Sequence, residues 1–171
     1  MIPRYRALAQ RIQLELAELD RTQATVNRHW QQARVAATDQ DAYVNSVALN
    51  LHSFYSGLER IFELIAVEID GGALGGADWH REMLRQVALD LAEIRPAVIQ
   101  PETALLLDDY RKFRHRVRSI YATNLDPLRM EVLVVGLPEL WKQIQEDLQA
   151  FIAFLVSLSR ADDDDFRIVG Q

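Results

Sequence analysis

The sequence predicts an all-α protein, an up-and-down bundle of four to five helices whose first two helices are long. Only 7 of the 171 residues are Gly and only 5 are Pro, so strong helix breakers are scarce. Hydrophobic residues make up 49% of the chain and recur at intervals of three and four, as one face of a helix requires. This content is sufficient for one core, and we expect a single domain over residues 1–160.

The first two predicted helices occupy the N-terminal part of the chain. The first runs from Pro3 to about Ala37, and its apolar face consists of Leu8, Ile12, Leu16, Leu19, Val26 and Trp30. The second extends to Ile69, and Thr38 followed by Asp41 resembles a capping box at its start. Helices of this length exceed what a compact globule needs, which favours lengthwise packing of one on the other.

A glycine-rich connector through Gly76 separates the second predicted helix from the third. Asp78 can cap the third helix, which we expect to continue to about Arg95 and to end before Pro96. Pro101 suits the first turn of a fourth helix, which reaches Thr123.

The fifth predicted helix opens at Asp126-Pro127, a cap followed by a proline in the first helical position. We expect it to end near Ser159. Residues 161–171 begin with an alanine and four aspartates and show no apolar periodicity, which predicts an acidic, disordered tail.

Composition excludes several classes of function. The chain has no cysteine, which removes disulfides and thiolate chemistry and is compatible with a reducing cytoplasm, the expected location. Its longest apolar run is far shorter than a membrane span, so no membrane partner is expected. None of the four histidines follows a glutamate by three residues, and no phosphate-binding glycine loop is present, so we expect neither a metal nor a cofactor.

Charge is distributed unevenly along the chain. The net charge of −6 argues against indiscriminate binding of nucleic acid, which depends on many cations. Five of the 19 Lys and Arg residues nevertheless lie within residues 111–118 (RKFRHRVR). The fourth helix therefore carries a positive island on an acidic protein.

A helical wheel of this segment predicts two faces. The core face holds Leu106, Phe113, Val117 and Ile120. The other face presents Arg111, Arg114, His115, Arg118, Ser119 and Tyr121. Acidic residues are not interleaved within 111–121, so these arginines repel one another unless an anion or a second subunit neutralises them. Guanidinium groups bind phosphate bidentately, which favours a phosphate partner over a solvated scaffold surface, although both interpretations remain open.

The same residues resemble a known family. Residues 114–121 (RHRVRSIY) are similar to the Arg-X4-His-X-Tyr motif of HEPN-domain proteins, in particular of HepT-like ribonuclease toxins that accompany nucleotidyltransferase antitoxins. Residues 51–62 (LHSFYSGLERIF), the run Asp78-Trp79-His80 and the pair Arg95-Pro96 are also HepT-like. The likeness extends over about residues 45–160.

This resemblance implies a helical homodimer with two motif helices across a shared cleft. Arg114 would bind the scissile phosphate of an RNA, tRNA or mRNA, with Arg111 and Arg118 as further phosphate contacts. In that family the histidine assists attack by the ribose 2′-hydroxyl without a metal. The partner nucleotidyltransferase would neutralise the toxin by adding AMP to Tyr121.

The sequence departs from the motif at Ser119, which stands where the family has histidine. A hydroxyl does not titrate near neutral pH, whereas imidazole does. His115 lies one turn earlier and is the substitute base that we expect, so the predicted catalytic set is Arg114, His115 and Ser119. The alternative is a catalytically impaired subunit that binds nucleotide or the nucleotidyltransferase without cleaving RNA.

A second polar stripe lies on the second predicted helix. His52, Tyr55 and Glu59 are spaced so that they share one helical face. They either line the same cleft or pack inside the bundle with satisfied hydrogen bonds. Trp79 and His80 are interpreted as packing residues at a helix end.

Overall fold

The computed structural model describes residues 4–118 and 124–168, with side chains as far as residue 161. Within these ranges the chain forms five helices and no β-strand, which confirms the all-α prediction. The helices are α1 (Arg4–Val35), α2 (Gln40–Glu68), α3 (Trp79–Val87), α4 (Pro101–Val117) and α5 (Pro127–Ile168). None of them combines the length and the apolar content that a membrane span requires.

The two long N-terminal helices pack along each other, as their shared length predicts. α5 lies against α1, whereas α4 packs on α2 and the short α3 is held between α2 and α4. Buried apolar side chains from all five helices join in one cluster, and the predicted apolar face of α1 belongs to it. At its centre Phe54 meets Trp141 edge to face, and the Trp141 indole donates to Asp20 Oδ1 at 2.8 Å.

α3 is shorter than predicted, because it ends at Val87 and not near Arg95. The Arg95 guanidinium is fully buried and donates to Asp70 and to three backbone carbonyl oxygens, those of Gln86, Leu89 and Pro96. The backbone N–H of Val98 donates to Val87 O at 2.8 Å. The Arg95 side chain therefore supplies the hydrogen bonds that these backbone oxygens would otherwise receive from the next turn of a helix or from water. For this reason the helix does not have to continue to Arg95.

Two other helix ends differ from the sequence predictions. α2 starts at Gln40, and its N-cap is Asp39 in the left-handed conformation with no side-chain cap bond, so the capping box at Thr38 is wrong. α5 continues past Ser159 through Ile168, into the acidic segment for which a tail was expected. The predicted start of α5 is confirmed.

Gly57 allows the close approach of α1 and α2. A Cβ atom at this position would lie 2.6 Å from Leu19 Cδ2, and Leu19 is itself buried. Gly57→Ala is expected to lower the free energy of unfolding by about 1–2 kcal/mol, because overpacking outweighs the better helix propensity of alanine. Denaturant unfolding measures this loss.

Gly75→Ala is the matched control for Gly57. A Cβ atom there meets nothing within 4 Å, so its stability should change by less than about 0.5 kcal/mol. A Gly57→Ala protein as stable as the wild type would contradict the close α1–α2 contact.

Candidate functional site

α4 turns Arg114 toward the protein interior. The buried residues of this helix are Thr103, Leu107, Tyr110 and Phe113. Leu106 is 46% exposed, so its predicted place in the core face is wrong. The hydroxyl of Tyr110 donates to Leu133 O at 2.6 Å and fixes this rotation against α5. Arg114 follows the buried face by one turn, and its side chain is only 17% exposed.

The Arg114 side chain is held by two residues of α2. Its Nε donates to Ser56 Oγ at 3.0 Å and lies 3.0 Å from Glu59 Oε1. Because Glu59 Oε1 receives no hydrogen bond from the described residues, the contact with Arg114 is an ion pair and Ser56 accepts the N–H. The guanidinium is thus oriented by both groups, through a hydrogen bond to the hydroxyl and an ion pair with the carboxylate, and the carboxylate also neutralises its charge.

Glu59 also joins α3 to the site. Its second oxygen, Oε2, contacts His80 Nδ1, and the His80 ring lies over Trp79 with ring centroids 3.6 Å apart. Glu59 itself is 5% exposed, so both partners serve to compensate a buried charge. This role of His80 was not predicted from the sequence, where His80 was interpreted as a packing residue. The position of Glu59 among the apolar residues of α2 could have indicated it, because a buried carboxylate needs a charged or hydrogen-bonding partner.

A second buried ion pair fixes α3 from its other end. Asp70, just after α2, binds the Arg95 guanidinium at 2.6 and 2.8 Å and also accepts from Gln86 Nε2 at 2.6 Å. Gln86 belongs to α3, so the helix that presents His80 is anchored at both ends. The site geometry therefore depends on residues remote from Arg114.

His52 lies one turn before Ser56 on the same stripe of α2 and is half-buried. Burial lowers the pKa of His52, and the positive charges of Arg114 and Arg118 lower it further, whereas Glu59 opposes them. The ring is therefore neutral at neutral pH. A neutral imidazole beside two guanidiniums is able to accept a proton.

The arginines of α4 have acidic partners inside the chain, contrary to the prediction that an anion or second subunit must supply them. Arg111 binds Asp108 at 2.7 Å, and Lys112 binds the same carboxylate at 2.9 Å. Burial alone would raise the pKa of Asp108, but hydrogen bonds from Arg111 and Lys112 lower it. The positive charge of α4 is thus partly neutralised by Asp108, which lies one turn earlier on the same helix, and by Glu59 of α2.

The other predicted site residues are found in different environments. Tyr55 is fully buried, and its hydroxyl has no hydrogen-bond partner among the described residues. Burial and the charge of Glu59 raise the pKa of Tyr55 far above its usual value. His115 is exposed on α4. Ser119 and Tyr121 lie outside the described residues.

Together these contacts define a class of protein. It is an all-α bundle in which an arginine near the end of α4 is oriented by a hydroxyl and a buried carboxylate of α2, with histidines from α2 and α3 beside them. The model of a family described as "HepT-like protein" matches residues 46–155, and the chain belongs to this HepT-like family of HEPN proteins. The resemblance seen in the sequence is confirmed. Searches of curated proteins and of solved structures find no match.

Proposed function

We propose that this HepT-like protein is the toxin of a toxin–antitoxin pair, a metal-independent endoribonuclease in which Arg114 binds the scissile phosphate of RNA. The observation that supports the proposal is the placement of Arg114, whose Nε is fixed by Ser56 and Glu59. A guanidinium that is already oriented binds a phosphate with little loss of side-chain entropy. It also stabilises the charge that develops on phosphorus oxygens during the reaction.

In the proposed reaction the ribose 2′-oxygen attacks the adjacent phosphorus. The new O2′–P bond forms as the P–O5′ bond breaks, which gives a 2′,3′-cyclic phosphate and a 5′-hydroxyl end. A base takes the proton of the 2′-hydroxyl, and an acid returns a proton to O5′. His115, exposed next to Arg114 in sequence, is the proposed proton donor to the leaving oxygen.

Regulation in this proposal acts on the same helix. A partner nucleotidyltransferase adds AMP to Tyr121, and the added phosphate competes with RNA for Arg114 and Arg118. A homodimer would bring two such helices to one RNA strand. Arg111 and Arg118 contribute phosphate contacts, so RNA affinity is expected to fall as salt rises.

The second candidate is a HepT-like subunit that binds nucleotide or the nucleotidyltransferase but does not cleave RNA. Ser119, which replaces the motif histidine, favours this function. The wild type and Ser119→His together separate the two candidates. Cleavage by the wild type would support the ribonuclease, whereas an inactive wild type that binds the nucleotidyltransferase, with no new cleavage by Ser119→His, would support the binding role.

The ribonuclease proposal is tested with purified wild type, Arg114→Ala and Arg28→Ala incubated with tRNA and total RNA. Loss of Arg114 should reduce cleavage by about 10²–10³-fold, as expected for removal of a group that stabilises transition-state charge. Arg28 is exposed on α1 and serves as the matched control, so its variant should keep the wild-type rate. An intact RNA profile with the wild type, or equal cleavage by the Arg114 variant, would contradict the proposal.

A further inference from the structure

We propose that His52 is the general base of this site and takes the role of the histidine that the motif lacks at Ser119. The inference rests on the proposed ribonuclease function, and it assigns the proton acceptor to α2 and not to α4. His52 would remove the 2′-hydroxyl proton while Arg114 holds the phosphate.

The first support is the position of His52 relative to Arg114. His52, Ser56 and Glu59 occupy positions i, i+4 and i+7 of α2 and therefore share one face. Two of these three residues contact Arg114 at 3.0 Å. His52 lies one turn before Ser56 on this face, on the side of Arg118, which is the C-cap residue of α4. A phosphate bound between these arginines places its ribose beside the His52 ring.

The second support is the electrostatic environment of the imidazole. Three charged groups act on it, namely Arg114 and Arg118 from α4 and Glu59 from α2 itself. Burial and the two guanidiniums lower the pKa of His52 against the opposing charge of Glu59, and so they keep the ring unprotonated at neutral pH, the state in which a base accepts a proton. Partial exposure leaves it accessible to a substrate.

The third support is comparison with the other histidines of the chain. His29 is bonded through Nδ1 to Ser46 at the contact of α1 and α2. His80 is engaged through Nδ1 by the Glu59 carboxylate. His115 is exposed on α4, one position after Arg114, and so points about 100° away around the helix. His52 is the histidine that faces Arg114 from the opposite helix.

The proton balance of the step is complete. The proton of the 2′-hydroxyl moves to a ring nitrogen of His52 as the O2′–P bond forms. The P–O5′ bond breaks, and O5′ takes a proton from His115 or from water. His52 then releases its proton to solvent and the donor to O5′ regains one from solvent, so no further reactant is consumed.

The test compares His52→Gln and His52→Asn with His29→Gln as the matched histidine control. Both His52 variants should lose about 10²–10⁴-fold in the cleavage rate, the usual contribution of general acid–base catalysis. Binding of a 2′-deoxy oligonucleotide, which cannot be cleaved, should change less than about twofold, because Arg114 and Arg118 remain. His29→Gln should leave both quantities unchanged, and thermal unfolding checks that each variant folds.

The pH profile supplies a readout that a purely structural role would not change. The acidic limb of kcat/KM should lie below pH 6.5, because His52 must lose its proton to act and its pKa is lowered. Arg118→Gln removes one of the charges that lower this pKa, so the limb should move to higher pH. NMR titration of the His52 ring should show the same displacement without any substrate.

The possible failures can be distinguished. Absence of cleavage by the wild type overturns the ribonuclease proposal and this inference with it. Cleavage by the wild type together with undiminished cleavage by both His52 variants overturns the inference alone. Equal losses of cleavage and of oligonucleotide binding would also overturn it, since His52 would then act in binding.

Discussion

Asp70→Ala is expected to lower the free energy of unfolding by about 3–5 kcal/mol, because it leaves a buried guanidinium without its countercharge. The side chain of Arg95 is 0% exposed and that of Asp70 is 4% exposed, so water cannot replace the lost carboxylate. The three carbonyl oxygens that also bind Arg95 neutralise no charge. Urea unfolding followed by circular dichroism measures the loss.

Two further variants make this prediction specific. Glu18→Ala breaks an exposed ion pair with Arg21 on α1 and should change stability by at most about 1 kcal/mol. Adding Arg95→Met to Asp70→Ala should recover part of the loss, because the unpaired charge is removed. A single Asp70→Ala protein within about 1 kcal/mol of the wild type would show that the pair does not hold α3 in place.

Glu59→Leu is expected to affect both stability and cleavage. It removes the carboxylate shared by Arg114 and His80. We expect the free energy of unfolding to fall by about 2 kcal/mol, which is less than the loss expected for Asp70→Ala, because Arg114 reaches solvent. Without Glu59 the guanidinium is oriented by Ser56 alone. A misplacement of about 1 Å is enough to lower the rate about 10²-fold, so cleavage should fall to this extent.

Glu59→Gln is the conservative control for this prediction. The amide oxygen can remain near Arg114 while the amide nitrogen donates to His80 Nδ1, so a large part of stability and activity should be retained. Glu59→Leu with wild-type cleavage would contradict the orienting role of the carboxylate. Glu59→Gln as damaging as Glu59→Leu would show that charge, and not hydrogen-bond geometry, determines the effect.

Sequence periodicity predicts the parts of this fold that depend on a single helix. The apolar face of α1 and the proline that opens α4 follow from local spacing and local chemistry. The rotation of α4 about its axis could not be predicted in this way. Leu105, Leu106 and Leu107 are consecutive, and a helical wheel cannot decide which of them is buried. Only Leu107 proves to be fully buried.

The candidate site shows the same limit. Arg114 could be selected from its motif, but the residue that neutralises it is 55 positions away in the chain, and no helical period encodes that pairing. The end of α3 depends on Asp70, which belongs to another part of the sequence. His52 and Glu59 could be placed on one stripe, yet whether that stripe faces solvent, core or Arg114 is decided by helix packing.

The position of α1 has a practical consequence. This helix packs mainly on α2 and α5, and the family match begins at residue 46, after α1 has ended. The chain contains no cysteine, so one cysteine introduced at exposed Gln13 would be a unique attachment point for a fluorophore. Such a label would report oligomer formation or partner capture by fluorescence while every group around Arg114 keeps its native chemistry.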